Sequence, residues 1–176
     1  MKSAASILIG AALSVAACGG SSGASDAGNS NSTFTFLADG IAQDDSSGFN
    51  SAASGGIVEA STTAEDGSAL NITQIKASNV DTGSFITLSV PVWPLTVGSW
   101  SCPSGWEVGI IYGPPGVQAY YAGQNGEINP DSATAPCTIA VTSVSPNVAG
   151  TFSGTVGNAS GAFTLTSGSF SIPASN

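Results

Sequence analysis

Histidine and arginine occur nowhere in the 176 residues, and lysine occurs only at Lys2 and Lys76. Without an imidazole there is no Ser-His-Asp or Cys-His nucleophile and no histidine ligand for zinc or copper. With so few cations the chain cannot neutralise a row of phosphates, which excludes nucleic acid as a partner held by charge. Charged residues of both signs make up only 7% of the sequence. Long apolar runs are scarce as well: Ile7-Leu8-Ile9-Gly10-Ala11-Ala12-Leu13 is too short to cross a bilayer as a helix. No motif with cofactor spacing stands out, and no cofactor is expected.

What is present begins at the amino terminus. Lys2 is a minimal basic region, residues 7–13 are an apolar core, and Val15-Ala16-Ala17 supplies small residues before a cleavage point, the layout of an export signal. Directly after them comes Cys18. Val15-Ala16-Ala17-Cys18 resembles the lipobox of bacterial lipoproteins. The resemblance implies that residues 1–17 are removed and that the Cys18 thiol and the new amino terminus are acylated, with palmitate among the chains. Two or more acyl chains anchor a protein stably where one does not, so the membrane is an expected partner through Cys18. An ordinary secretory signal followed by a chance cysteine is the competing reading. Gly19, rather than Asp, follows the cysteine; by the same resemblance this favours the outer membrane of a cell that has two. The expected location is the bacterial cell envelope.

Loss of the signal leaves about 159 residues, enough for one domain with a real core. Lys76 then stands alone against eleven carboxylates, a net charge of −10. Gly19 to Ser32 is a Gly/Ser/Asn/Asp tract without periodicity, which reads as a flexible tether over residues 18–32. With Cys18 acylated, Cys102 and Cys137 remain, and an oxidising compartment favours a disulfide between them. Closing that loop stabilises the fold by about 3 to 4 kcal/mol on the chain-entropy model. A redox or metal pair is the rival reading, but the two lack C-x-x-C spacing and a third ligand.

From Thr33 onward, short alternating runs are separated by Gly, Pro, Asn, Asp and Ser. Phe34 and Phe36 alternate with threonine; Ala38-Asp39-Gly40 is a turn; Ile57 to Thr62 is a strand; and Glu65-Asp66-Gly67 and Asp81-Thr82-Gly83 turn the chain again. Ile86, Leu88, Val90 and Val92 share a face that Pro91 places on an edge strand or at a strand end. Val108, Ile110 and Tyr112 form the next set, ahead of the Gly113-Pro114-Pro115-Gly116 break, and Ile139 and Val141 follow in the strand starting at Cys137. Phe152, Gly154 and Val156 share a parity, and Gly157 to Gly161 is read as a connection. Apolar parity flips between Phe163-Leu165 and Phe170-Ile172, so a hairpin or a bulge sits at Ser167-Gly168. Helical spacing is absent beyond the signal. The expectation is all-β: one antiparallel β-sandwich of about ten short strands over residues 33–176, with a small β-barrel as the alternative.

Cys137-Thr138-Ile139-Ala140-Val141-Thr142, Gly150-Thr151-Phe152-Ser153-Gly154 and Thr166-Ser167-Gly168-Ser169-Phe170 together resemble the closing signature of a group of small bacterial lipoproteins with a β-sandwich domain and no established activity. The likeness implies the fold and the anchor, and brings no catalytic residue with it.

Candidate chemistry is sparse. Asp81-Thr82-Gly83-Ser84 matches the active loop of aspartic proteases, but such enzymes need two carboxylates sharing a proton, and the chain has no second copy; a turn is the simpler reading. Trp93, Trp100, Trp106, Tyr112, Tyr120 and Tyr121 cluster in the middle of the sequence, where rings with few charges could form a platform for sugars or fill the core beside the cysteine pair. Asp44, Asp45, Glu65, Asp66, Glu127 and Asp131 are weak calcium candidates, since none has EF-hand spacing; no other metal ligand is expected. Asn31-Ser32-Thr33, Asn71-Ile72-Thr73 and Asn158-Ala159-Ser160 fit the glycosylation sequon and are assigned no role. The leading expectation is a lipid-anchored envelope protein with a structural or interaction role and no enzymatic activity. A carbohydrate-binding or adhesive module using the aromatics, with an envelope protein or glycan as partner, comes second. An acid hydrolase using paired carboxylates is a distant third.

Overall fold

The computed structural model describes residues 33–43, 49–50, 56–63, 69–79, 82–102, 108–123 and 135–174. They form strands β1 (Thr33–Ala38), β2 (Ile41–Gln43), β3 (Phe49–Asn50), β4 (Ile57–Thr63), β5 (Ala69–Asn79), β6 (Phe85–Val90), β7 (Gly98–Cys102), β8 (Gly109–Gly113), β9 (Tyr120–Ala122), β10 (Cys137–Val144), β11 (Asn147–Asn158) and β12 (Gly161–Pro173). No helix occurs among the described residues. All twelve strands belong to one antiparallel sheet in the order β2-β1-β12-β11-β9-β8-β6-β5-β3, with β10 and β7 added beside β11 and β4 beside β5. The all-β antiparallel class is as expected. The two layers of a sandwich are here two parts of one continuous sheet, curled into a half-barrel so that β1, next to one end of the strand order, comes into contact with β3 at the other.

Neighbouring strands run in opposite directions, so every turn can be assigned to one of two ends. Thr33, Pro173, the Ser145-Pro146 turn and the crossover 91–97 between β6 and β7 share the upper end. The turns at 39–40, 82–84, 114–119 and 159–160 lie at the lower end. At 39–40 both residues have positive φ, 48° for Asp39 and 80° for Gly40, the geometry that matches the twist of a two-residue hairpin. Asp39 also clasps the next strand: its Oδ1 accepts from the Thr164 amide at 2.7 Å and its own amide donates to the Thr164 carbonyl at 3.0 Å.

Alternation explains the core. Phe34, Phe36 and Ala38 of β1 point inward with Leu165, Phe170 and Ile172 of β12 and Val148, Phe152 and Val156 of β11. The Phe34 ring lies 5.5 Å from Phe152 and 6.0 Å from Phe170, and Phe36 lies 5.6 Å from Phe152 and 5.5 Å from Tyr112. These rings fit because Phe152, Phe170 and Leu165 on the β11–β12 pair each face a glycine. Gly150 is paired with Phe170, and Phe152 with Gly168. A Cβ on Gly150 would meet the Phe170 ring at 2.5 Å, and one on Gly168 the Phe152 ring at 2.7 Å. Two Gly-x-Phe tripeptides thus interlock reciprocally, each ring covering the glycine opposite. Phe85 lies over Gly113 in the same way.

The parity flip in β12 is a bulge, not a hairpin. The strand continues from Gly161 to Pro173, and its register against both β1 and β11 slips by one residue at the same place. Ser167, with φ 53°, is the extra residue; it returns Gly168, Phe170 and Ile172 to the face that Leu165 occupies. The connection expected over Gly157 to Gly161 is shorter: Gly157 and Asn158 belong to β11 and Gly161 to β12, leaving Ala159 and Ser160 as the turn. Asn158 makes this compact turn workable, accepting from the Ser160 amide at 2.7 Å and donating to the carbonyls of Gln118 and Ala119. Pro91 marks the end of β6, which is flanked on both sides by β5 and β8 and so is no edge; Pro91 has no N–H with which to continue the ladder. The turn expected at Glu65-Asp66-Gly67 lies outside the described residues.

Candidate functional site

Three places carry candidate chemistry: the cysteine pair, the aromatics and the outer face of β10–β12. Cys102 and Cys137 are directly opposite each other on β7 and β10, with Cα atoms 4.8 Å apart, and form a disulfide. That separation is close to the value for a non-hydrogen-bonded antiparallel pair. Backbone packs tightly around the bridge: a Cβ on Gly123 would meet the Cys102 sulfur at 2.3 Å, and one on Gly154 the Cys137 Cβ at 2.7 Å. Both cysteines are buried, which suits a structural bond, and neither of the two is a free thiol.

Among the described residues, the aromatics of this set do not gather on one surface. Tyr112 and Tyr120 are buried, and Phe163 packs edge-on to both, at 5.6 and 4.7 Å. Burial pushes the Tyr112 phenol above its ordinary value, and the Asp39 carboxylate adds in the same direction. Of the platform and core readings, these two follow the core one: β8 and β9 place even-numbered side chains inward, and the Tyr112 ring fills space between Phe36 and Phe163. Tyr121 faces the other way and is half-buried. Trp100 leans over Gly98 and packs partly against the core. Trp93 is 43% exposed in the crossover 91–97. Trp106 lies outside the described residues, as do Cys18, Asp81 and the calcium candidates Asp44, Asp45, Glu65, Asp66, Glu127 and Asp131. Among the described residues no group of three metal-ligating side chains occurs.

The remainder of the protease-like motif is a hairpin turn. Asn79 organises it, its Oδ1 accepting from the Thr82 amide at 3.0 Å and its carbonyl from the Gly83 amide at 2.8 Å. Thr82 and Ser84 hydroxyls bond each other at 2.8 Å.

The chain matches no family model, no curated protein and no solved structure.

What the sequence reading passed over is the outward parity of the last strands. Thr138 on β10, Ser153 and Thr155 on β11, and Thr164 and Thr166 on β12 line an open groove of about 300 Å³ with Pro136 and Gly154. Thr35 and Ser169 continue the hydroxyl surface onto β1, their oxygens 2.9 Å apart. The signal was there: each apolar parity in these strands leaves Ser and Thr on the complementary one. Such a face can donate and accept hydrogen bonds, but it holds no group that transfers a proton near neutral pH.

Proposed function

We propose that the chain is a lipid-anchored β-domain of a bacterial cell envelope, held by acyl chains on Cys18 and serving a structural or interaction role rather than an enzymatic one. The observation that carries this reading is the Val15-Ala16-Ala17-Cys18 sequence after a short apolar run. The disulfide supports it from a second side, because a buried bridge suits an exported protein in an oxidising compartment. Of the three cysteines, the two in the bridge are accounted for, and the third is the one in the lipobox. The hydroxyl-lined groove and the largely uncharged sheet fit contact with a neutral surface better than proton-transfer chemistry.

A glycan-binding role is the second reading, favoured by the exposure of Trp93. The primary reading is tested by growing cells with an alkyne-tagged palmitate. The wild-type chain takes up the label and the Cys18→Ser chain does not, and it also keeps its signal segment and migrates as a larger species. An unlabelled wild-type chain, or equal labelling of both, would sink the proposal.

A further inference from the structure

The crossover 91–97 is the least explained part of the fold. Its sequence, Pro91-Val92-Trp93-Pro94-Leu95-Thr96-Val97, contains no charged residue, and none occurs anywhere from Thr82 to Trp106. Val92 and Leu95 pack against the core, and the Thr73 hydroxyl donates to the Val92 carbonyl, so the inward side of the segment is fixed. Trp93 and Val97 face outward, 43% and 61% exposed. Two alternating apolar pairs, one tucked in and one turned out, make a held loop that presents a tryptophan.

Its position gives that exposure a direction. The crossover joins the upper ends of β6 and β7, and Thr33, where the chain arrives from Cys18, starts β1 at the same end. Only fourteen residues, Gly19–Ser32, lie between Cys18 and Thr33, so acyl chains on Cys18 would keep this end within that length of chain from the bilayer. We infer that the crossover 91–97 docks on the membrane that holds the anchor, with Trp93 and Val97 entering the headgroup region. The inference rests on the lipid-anchor reading above. Tryptophan favours the interface, where its ring is buried and its N–H stays hydrated. Two residues bind weakly alone, but tethering makes the contact intramolecular and raises the effective concentration to the millimolar range or about that. Glu59 is exposed on β4, which runs toward the same end, so a zwitterionic surface suits the contact better than an anionic one. The lower end is less suited: its exposed apolar residues Ile41, Phe85 and Val117 include no tryptophan, and Asp39 stands beside Ile41 in the β1–β2 turn.

The test uses the acylated chain reconstituted into phosphatidylcholine vesicles, with and without bromine on the acyl chains as a short-range quencher. In a Trp100→Phe/Trp106→Phe chain, Trp93 emission is expected to fall by about half or more in brominated vesicles, as for an interfacial tryptophan. In an otherwise native chain, Trp93→Phe should remove most of the quenching, which covers the case in which the double variant fails to fold. A chain that floats with the vesicles while Trp93 stays unquenched overturns this inference and leaves the anchor standing. A chain that does not float overturns the anchor, and the inference falls with it. Trp93 emission that responds to soluble glycans but not to brominated lipid also overturns it, in favour of the glycan reading.

Discussion

The β11–β12 pair and the β6–β7 crossover contain similar apolar residues and treat them in opposite ways. On β11 and β12, Phe152, Phe170, Leu165, Val156 and Ile172 are almost fully buried. In the crossover, Trp93 and Val97 keep much of their surface exposed. The difference lies in what separates the apolar residues. In the pair they are spaced two apart, with glycines opposite the rings, so one face collects them and the opposing backbone makes room. In the crossover Pro91 and Pro94 remove two amide donors and stop the ladder, and among the described residues no strand pairs with residues 91–97 to cover them. Hydrophobicity sets how much apolar surface there is to bury; backbone pairing decides which of it is buried.

The sharpest way to break the contrast is to remove a ring from the interlocked pair. Phe152→Ala leaves a hole shared by Phe34, Phe36 and Gly168, and a truncation of this size in a packed core costs about 3–5 kcal/mol. Urea unfolding should show a much lower midpoint with little change in slope. A midpoint near wild type would mean that the reciprocal Gly-x-Phe packing is not what holds the two strands.

Next in size is the bridge that ties the crossover's downstream strand to the C-terminal strands. Replacing Cys102 and Cys137 together by serine opens a loop with a sequence separation of 35 and should cost about 3–4 kcal/mol on the chain-entropy model. Hydrogen exchange should show β7 losing protection before β11 and β12 do. Simultaneous loss throughout would mean that the two regions unfold as one unit even without the bond.

How far these regions could be read in advance follows the same physics. Phe34, Phe36, Ile139, Val141, Phe152 and Val156 announce their faces by strict alternation, and the turn at Asp39-Gly40 announces itself by residue type. The bulge at Ser167 was visible as a flip in parity, yet a hairpin produces the same flip, and only pairing with β1 and β11 across the sheet separates the two. Trp93, Trp100, Tyr112 and Tyr120 read alike in sequence because aromatic rings suit cores and surfaces equally. Their fates depend on the strand that happens to lie opposite. The hydroxyl groove was overlooked for a related reason: serine and threonine on the outward parity are ordinary, and only neighbouring strands assemble them into one surface.

A smaller effect belongs to the junction of the two regions. Tyr112 lies between Phe36 and Phe163 with its phenol value raised. A raised value in the folded state means that the unfolded chain releases this proton first. The stability tied to the neutral phenol is therefore intact below pH 10.0, its ordinary value, and is lost as pH rises from there through the folded value. The loss is at most about 1.4 kcal/mol per pH unit for one proton. Tyr112→Phe should flatten the alkaline limb of stability against pH, and an unchanged limb would show that other groups govern it.

The smallest expected effect is in the crossover itself. Trp93→Ser and Val97→Ser change the outward side chains, 43% and 61% exposed, and should cost less than a core truncation, with Val97→Ser near the shift of about 0.5 kcal/mol or less of an ordinary surface substitution. Val92→Ser and Leu95→Ser, on the inward side of the same seven residues, should each cost more than either outward change. Thermal melts of the four variants make the comparison within one short segment, where composition and chain position are held constant. If the outward pair proves as costly as the inward pair, the exposed residues serve the fold itself, and the difference between the crossover and the β11–β12 pair is one of degree. If the outward pair is silent in the melts, Trp93 and Val97 contribute nothing to the isolated fold, and their presence at the end where β1 begins calls for a partner outside it.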